Sequence, residues 1–193
     1  MPRVFIAINL PEEIKAKLAE MEKDIINSFE EGIGFKLGKW VKKDNLHLTL
    51  LFIGEIKQEL APQLCQAVND AVSSCPSFEL EFKKISYDQN RGTPRLIWAE
   101  LNQNKELLFL NKILKDKLLD VKILKYVDSR PFKSHITLAR VKQWVFKQIE
   151  PEERPNIERE LNIKFKVSSI EIMESKLKRT GAEYSIIESI KLL

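Results

Sequence analysis

The chain has two histidines, His47 and His135, and both stand in the same four-residue setting. Residues 47–50 read His-Leu-Thr-Leu, and residues 135–138 read His-Ile-Thr-Leu. Threonine is about one residue in fifty here, so a given histidine is followed by x-Thr-Leu by chance about once in 400. Two occurrences make an internal repeat. In a β-strand, residues i and i+2 point to one face and i+1 and i+3 to the other. His47 and Thr49 therefore share a polar face while Leu48 and Leu50 pack inward. His135 and Thr137 do the same, with Ile136 and Leu138 buried. A lone strand histidine is usually a hydrogen-bonded structural residue, whereas two matched His–Thr pairs invite chemistry.

That chemistry is proton transfer around a phosphate. Two imidazoles flanking a phosphodiester can divide an in-line displacement, one taking a proton from the attacking oxygen and the other protonating the leaving oxygen. With ordinary pKa values near 6.5, one neutral and one charged ring can coexist near neutral pH. The threonine hydroxyls can donate to the non-bridging oxygens as charge accumulates there. No metal is required, and none is expected. Cys65 and Cys75 are read as reduced, partly buried thiols, because a zinc site would need further Cys or His ligands nearby.

The elements that must position these residues follow from periodicity. Residues 3–9 form a short apolar run that fits a buried strand. Pro11, followed by Glu12 and Glu13, marks a helix start, with Ile14, Leu18, Met21, Ile25 and Ile26 at helical spacing. A strand pair is expected around Trp40-Val41 and Leu46–Ile53. Helices follow at Glu59–Val72 and Leu107–Leu119, and strands at 78–82, Arg95–Leu101 and His135–Val141. Turn residues cluster at 90–94. Two closing strands, Phe165–Met173 and Tyr184–Ile190, flank a hairpin loop at 178–181, and Glu150–Glu160 reads as a connector. Strands and helices mix without strict βαβ alternation, which gives an α+β fold.

The 193 residues, 44% of them hydrophobic and 31% charged, suffice for one domain with its own core, and one domain over 1–193 is expected. The net charge of +4 suits a polyanionic partner but does not require one. No signal-peptide pattern or apolar run of transmembrane length is evident, so a cytoplasmic protein away from the membrane is expected. No glycine-rich phosphate loop occurs, which leaves ATP and dinucleotide cofactors without support; no cofactor is expected.

Whole blocks of the chain resemble the 2H phosphoesterases, and more narrowly the bacterial and archaeal RNA 2′,3′-cyclic phosphodiesterases, also called 2′-5′ RNA ligases. The blocks are residues 3–11, residues 40–54 around His47, residues 130–140 around His135, and the closing stretch from Ser175 to Tyr184. The resemblance implies a bilobed fold of two pseudo-symmetric, intertwined lobes, each with an antiparallel sheet and outer helices, with the active site in the groove between them. It implies hydrolysis of a terminal 2′,3′-cyclic phosphate on RNA to a 2′-phosphate, with His47 as acid, His135 as base, and Thr49 and Thr137 holding phosphate. Arg140 matches a substrate-associated position. Strict alternation would turn Arg140 away from Thr137, so a bulge or the strand's end near Ala139 is needed if it is to reach the site, and otherwise Arg140 is a solvated surface charge.

Two departures from the family stand out. Ser134 precedes the second histidine where many members have proline, and Ile6, with Phe5 beside it, occupies the first-strand position where an aromatic would stack on a base. Phe132 reads as a buried aromatic. The partner expected is RNA with a cyclic-phosphate end or a small cyclic nucleotide, acted on by a monomer. Alternatives are 2′-5′-linked oligonucleotides, ligation as a side reaction, or a non-catalytic RNA-binding module using Lys112–Lys125 or Lys176–Arg179.

Overall fold

Among the described residues, ten antiparallel strands join in one sheet whose two halves meet along a narrow seam. The computed structural model describes residues 2–30, 32–88, 92–124, 131–178 and 181–193. In chain order the elements are β1 (Arg3–Asn9), α1 (Glu12–Asn27), α2 (Ile33–Leu37), β2 (Gly38–Trp40), β3 (His47–Glu55), α3 (Ala61–Val72), β4 (Phe78–Tyr87) and β5 (Leu96–Leu101). Then come α4 (Lys105–Asp120), β6 (His135–Val141), α5 (Gln143–Phe146), β7 (Arg159–Glu160), β8 (Lys164–Val167), β9 (Ser169–Lys178) and β10 (Gly181–Lys191). The sheet runs β10-β9-β1-β3-β6-β5-β4-β7, with β2 also on β6 and β8 also on β4. The fold is α+β, as the mixed pattern predicts.

The chain crosses the seam repeatedly. After α2 it enters the second half as β2, returns as β3, and after β8 switches halves at Ser168 to continue as β9. The single closing strand expected at Phe165–Met173 is therefore two strands with different partners, β4 for β8 and β1 for β9. The strand pair expected between Trp40-Val41 and Leu46–Ile53 does not form. Instead β2 pairs with β6, and the Val41 amide donates to the Leu138 carbonyl at 2.8 Å. Gly38 permits that approach, since a Cβ there would stand 2.8 Å from the Arg140 carbonyl oxygen.

Helix starts follow local chemistry. The Pro11 carbonyl accepts the Ile14 and Lys15 amides at the head of α1, where Glu12 and Glu13 face the positive end. Asn104 caps α4 by accepting the Leu107 amide at 2.7 Å. The apolar faces of α1, α3 and α4 join Leu48, Leu50, Ile136 and Leu138 in one core cluster reaching from Val4 to Leu192. A small cluster of Phe5, Ala7 and Met173, with Tyr184 against it, forms apart from that core. Cys65 and Cys75 are free, and burial pushes both thiols up from their ordinary pKa. Phe132 is partly buried against the core, as read from the sequence.

Among the described residues no helix is long and apolar enough to cross a membrane. Asn90 and Arg91 of the expected turn, Lys125 and Arg130 of the basic and second-motif segments, and the hairpin-loop residues Arg179 and Thr180 lie outside the described residues.

Candidate active site

The seam is where the two motifs meet. Leu48 of β3 is the Cα partner of Ile136 of β6, and both side chains are fully buried in the core. One step out in either direction, antiparallel order sets His47 against Thr137 and Thr49 against His135. All four side chains fall on the face opposite the core. A local two-fold axis through the Leu48–Ile136 pair exchanges the two His–Thr sets.

Two bulges respect the same axis. On β3, Thr49 pairs with Ala7 and Leu51 with Ile6, leaving Leu50 extra. On β6, Thr137 pairs with Trp98 and Ala139 with Ile97, leaving Leu138 extra. An extra residue reverses the alternation that follows it. Arg140 thereby returns to the histidine face, through the bulge that its assignment requires. Phe52 occupies the equivalent place on β3 and is 71% exposed. Two-fold equivalence thus sets an aromatic ring at one end of the site and a guanidinium at the other.

Both imidazoles are held alike. His47 Nδ1 lies 2.6 Å from the Asn45 carbonyl oxygen and His135 Nδ1 lies 2.8 Å from that of Lys133. A carbonyl only accepts, so Nδ1 carries the proton in each ring and the neutral form presents Nε2 as acceptor. His47 Nε2 accepts from the Thr49 hydroxyl at 3.0 Å. Aromatic rings support each imidazole: Phe5 at 5.0 Å and Tyr184 at 5.1 Å from His47, and Trp98 at 4.7 Å from His135. Trp98 is fixed in turn by its indole N–H, which donates to Ser86 Oγ at 3.2 Å. Period-two parity places Phe5 and Trp98 on polar faces of their strands. Their meeting with the histidines depends on inter-strand register, which no local pattern carries.

Electrostatics lower both histidines from their ordinary pKa. For His47 burial dominates and the Asn45 hydrogen bond opposes it, while the charges of Lys15, His135 and Arg140 add to the lowering. For His135 burial again leads; the Lys133 carbonyl and Asp88 pull upward, and Lys133 and Arg140 push downward. Arg140 is therefore close enough to act on both rings. Lys15, also absent from the sequence-based site, is 7% exposed and donates to the Asp44 carbonyl at 3.3 Å. Among the described residues no three His, Cys, Asp or Glu side chains gather as a metal site. The site can donate and accept protons on either side of an anion held between the threonines.

Comparison with known proteins gives the family. The profile of the LigT like phosphoesterase family matches residues 8–98. An RNA 2′,3′-cyclic phosphodiesterase of Thermotoga maritima is 30% identical over 189 residues, 96% of this chain and 92% of that protein. The chain belongs to the LigT-like phosphoesterase family. Among solved structures, this family member superposes on TT0787 of Thermus thermophilus with a TM-score of 0.82 and 28% identity, covering 98% of this chain and 97% of that one. It superposes on E. coli LigT complexed with 3′-AMP with a TM-score of 0.77 and 25% identity, covering 100% and 99%.

Proposed function

We propose that this phosphoesterase is a monomeric, cytoplasmic RNA 2′,3′-cyclic phosphodiesterase that uses no metal and converts a terminal cyclic phosphate to a 2′-phosphate. The observation that carries the mechanism is the seam register, which puts two imidazoles, each with Nε2 free of the backbone, and two threonines on one face of the sheet. The activity for which the Thermotoga maritima relative is named supports the substrate.

In this mechanism the threonine hydroxyls of Thr49 and Thr137 donate to the non-bridging oxygens. His135 Nε2 takes a proton from water as its oxygen attacks phosphorus in line. The P–O3′ bond breaks, and His47 Nε2 delivers a proton to the departing O3′. The phosphate stays on O2′. Two lowered histidines suit this division once substrate is present, because a bound phosphodiester anion favours the charged form of the ring beside it. Arg140 supplies charge at one end of the site, and Phe52 offers a face on which a base can stack at the other. Hydroxyl and imidazole contacts grip only phosphate, so a small cyclic nucleotide fits the same machinery.

The test is incubation with cyclic-phosphate-ended RNA and with 2′,3′-cyclic AMP in excess EDTA, followed by product analysis. Turnover to 2′-phosphate ends is expected. A 3′-phosphate product would reverse the leaving-oxygen assignment, loss of turnover in EDTA would defeat the metal-free mechanism, and inertness toward every cyclic phosphate would defeat the enzyme assignment.

A further inference from the structure

Beyond the reacting phosphate, two cations face each other with no ion-paired carboxylate among the described residues. Lys39 of β2 and Arg140 of β6 are Cα partners. Directly opposed residues on antiparallel strands project to one face, where like charges are destabilising. Both are exposed, and neither takes part in an ion pair or side-chain hydrogen bond with a described residue. On the other flank of β6 the residue level with Arg140 is Leu96, whose amide donates to the Asp88 carboxylate at 3.2 Å; that carboxylate forms an ion pair with neither cation. Neighbouring lysines are arranged differently: Lys43 pairs with Glu12, Lys176 with Glu174 and Lys178 with Glu183.

The ammonium of Lys39 lies on the histidine side of the sheet. Trp40, next along β2, packs against the core and donates its indole N–H to the Gly34 carbonyl at 3.0 Å, so Lys39 alternates to the opposite face. Lys39 Cε and Nζ pass 3.6 Å from where a Cβ of Gly181 would stand, at the start of β10. That strand carries Tyr184, whose ring meets His47, and Asn45 ties to it by donating to the Ala182 carbonyl at 2.9 Å. The cation pair is thus contiguous with the phosphate-facing threonines, with Arg140 three residues beyond Thr137.

We infer that Lys39 and Arg140 together form a second anion subsite, which takes the internal phosphodiester one nucleotide upstream of the reacting cyclic phosphate. An anion between the two side chains turns their repulsion into two charge-assisted contacts. A strand ending in a cyclic phosphate carries its next phosphate one nucleotide away, within reach of two long side chains beside the first. A mononucleotide has none. On the reading that the substrate is an RNA end, this pair makes the enzyme prefer a polymer end over a cyclic mononucleotide.

Binding of product-like ligands tests this without turnover. The affinities of 2′-AMP and of the dinucleotide ApA with a 2′-phosphate end are measured by calorimetry for the wild type, Lys39→Ala and Lys39→Arg. The wild type should favour the dinucleotide about five- to tenfold. Lys39→Ala should lose most of that preference and lower the salt slope of dinucleotide binding by about one, whereas Lys39→Arg should keep both. Binding of both ligands with the same ratio in wild type and Lys39→Ala would overturn the subsite alone. Equal loss for the two ligands would also overturn it, by moving Lys39 to the reacting phosphate. If neither ligand binds the wild type, the RNA-end reading falls, and the subsite with it.

Discussion

Leu48 and Ile136 are partners across the seam between β3 and β6, and each is fully buried on the core side of the sheet. This one pairing sets His47 against Thr137 and Thr49 against His135. Cutting either side chain to alanine leaves a cavity where the two halves join, and should cost about 2–5 kcal/mol of unfolding free energy. Ile136→Val should cost about 0.5–1.5 kcal/mol. Urea denaturation measures both, and a cost below that of Ile136→Val for either alanine variant would mean that the seam is not a tightly packed joint.

Replacing either histidine should remove a proton-transfer step. His47→Gln and His135→Gln are each expected to lower kcat by about 10²–10⁴-fold on a cyclic phosphate substrate. Because burial and neighbouring cations lower both imidazoles, the free enzyme's pH profile should be shifted to acid. The bell of kcat/KM is expected to centre below the ordinary histidine pKa of about 6.5. A bound phosphate anion favours the charged rings, so the kcat bell should centre at higher pH than that of kcat/KM. Coincident profiles, or either centred well above neutrality, would contradict this electrostatic account.

The parts of the site legible in the sequence are those set by local period. His47 with Thr49 and His135 with Thr137 emerge from alternation alone, because Leu48 and Ile136 must face the core. Arg140 is legible only as a condition: its distance from Thr137 demands an extra residue, and Leu138 is that residue. The α4 span extends beyond Leu107–Leu119 to Lys105–Asp120 because Asn104 supplies a cap that apolar spacing does not register. Non-local pairings were not legible. β2 lies beside β6 rather than β3, so the opposition of Lys39 and Arg140 has no signature in either segment. The Phe5–His47–Tyr184 cluster likewise depends on β1, β3, β9 and β10 lying together.

Lys15 offers a way to move one histidine without touching the substrate face. Its charge lowers His47 and does not figure among the influences on His135. Lys15→Met keeps much of the buried aliphatic stem and removes the charge, so the His47 pKa should rise while that of His135 stays in place. Titration of the two imidazoles by NMR reads this directly. A shift of His135 equal to that of His47 would show a general rearrangement in place of a local charge effect.

Glu22 gives the protein a stability that falls with rising pH. It lies on α1 between the core residues Leu18 and Ile25, is 7% exposed, and has one carboxyl oxygen with no hydrogen-bond partner among the described residues. Burial pushes its carboxyl up to about 8 from an ordinary value of 4.5. Between those values the folded protein holds a proton that the unfolded chain has released, so unfolding free energy declines as pH rises through the interval and levels off above about 8. Glu22→Gln removes the titration while keeping size and polarity. It should change stability little near pH 5 and raise it by about 4 kcal/mol near pH 8.5 relative to the wild type. Denaturant unfolding at the two pH values checks the sign, and a gain confined to the acidic side would refute the assignment of a neutral, buried carboxyl to Glu22.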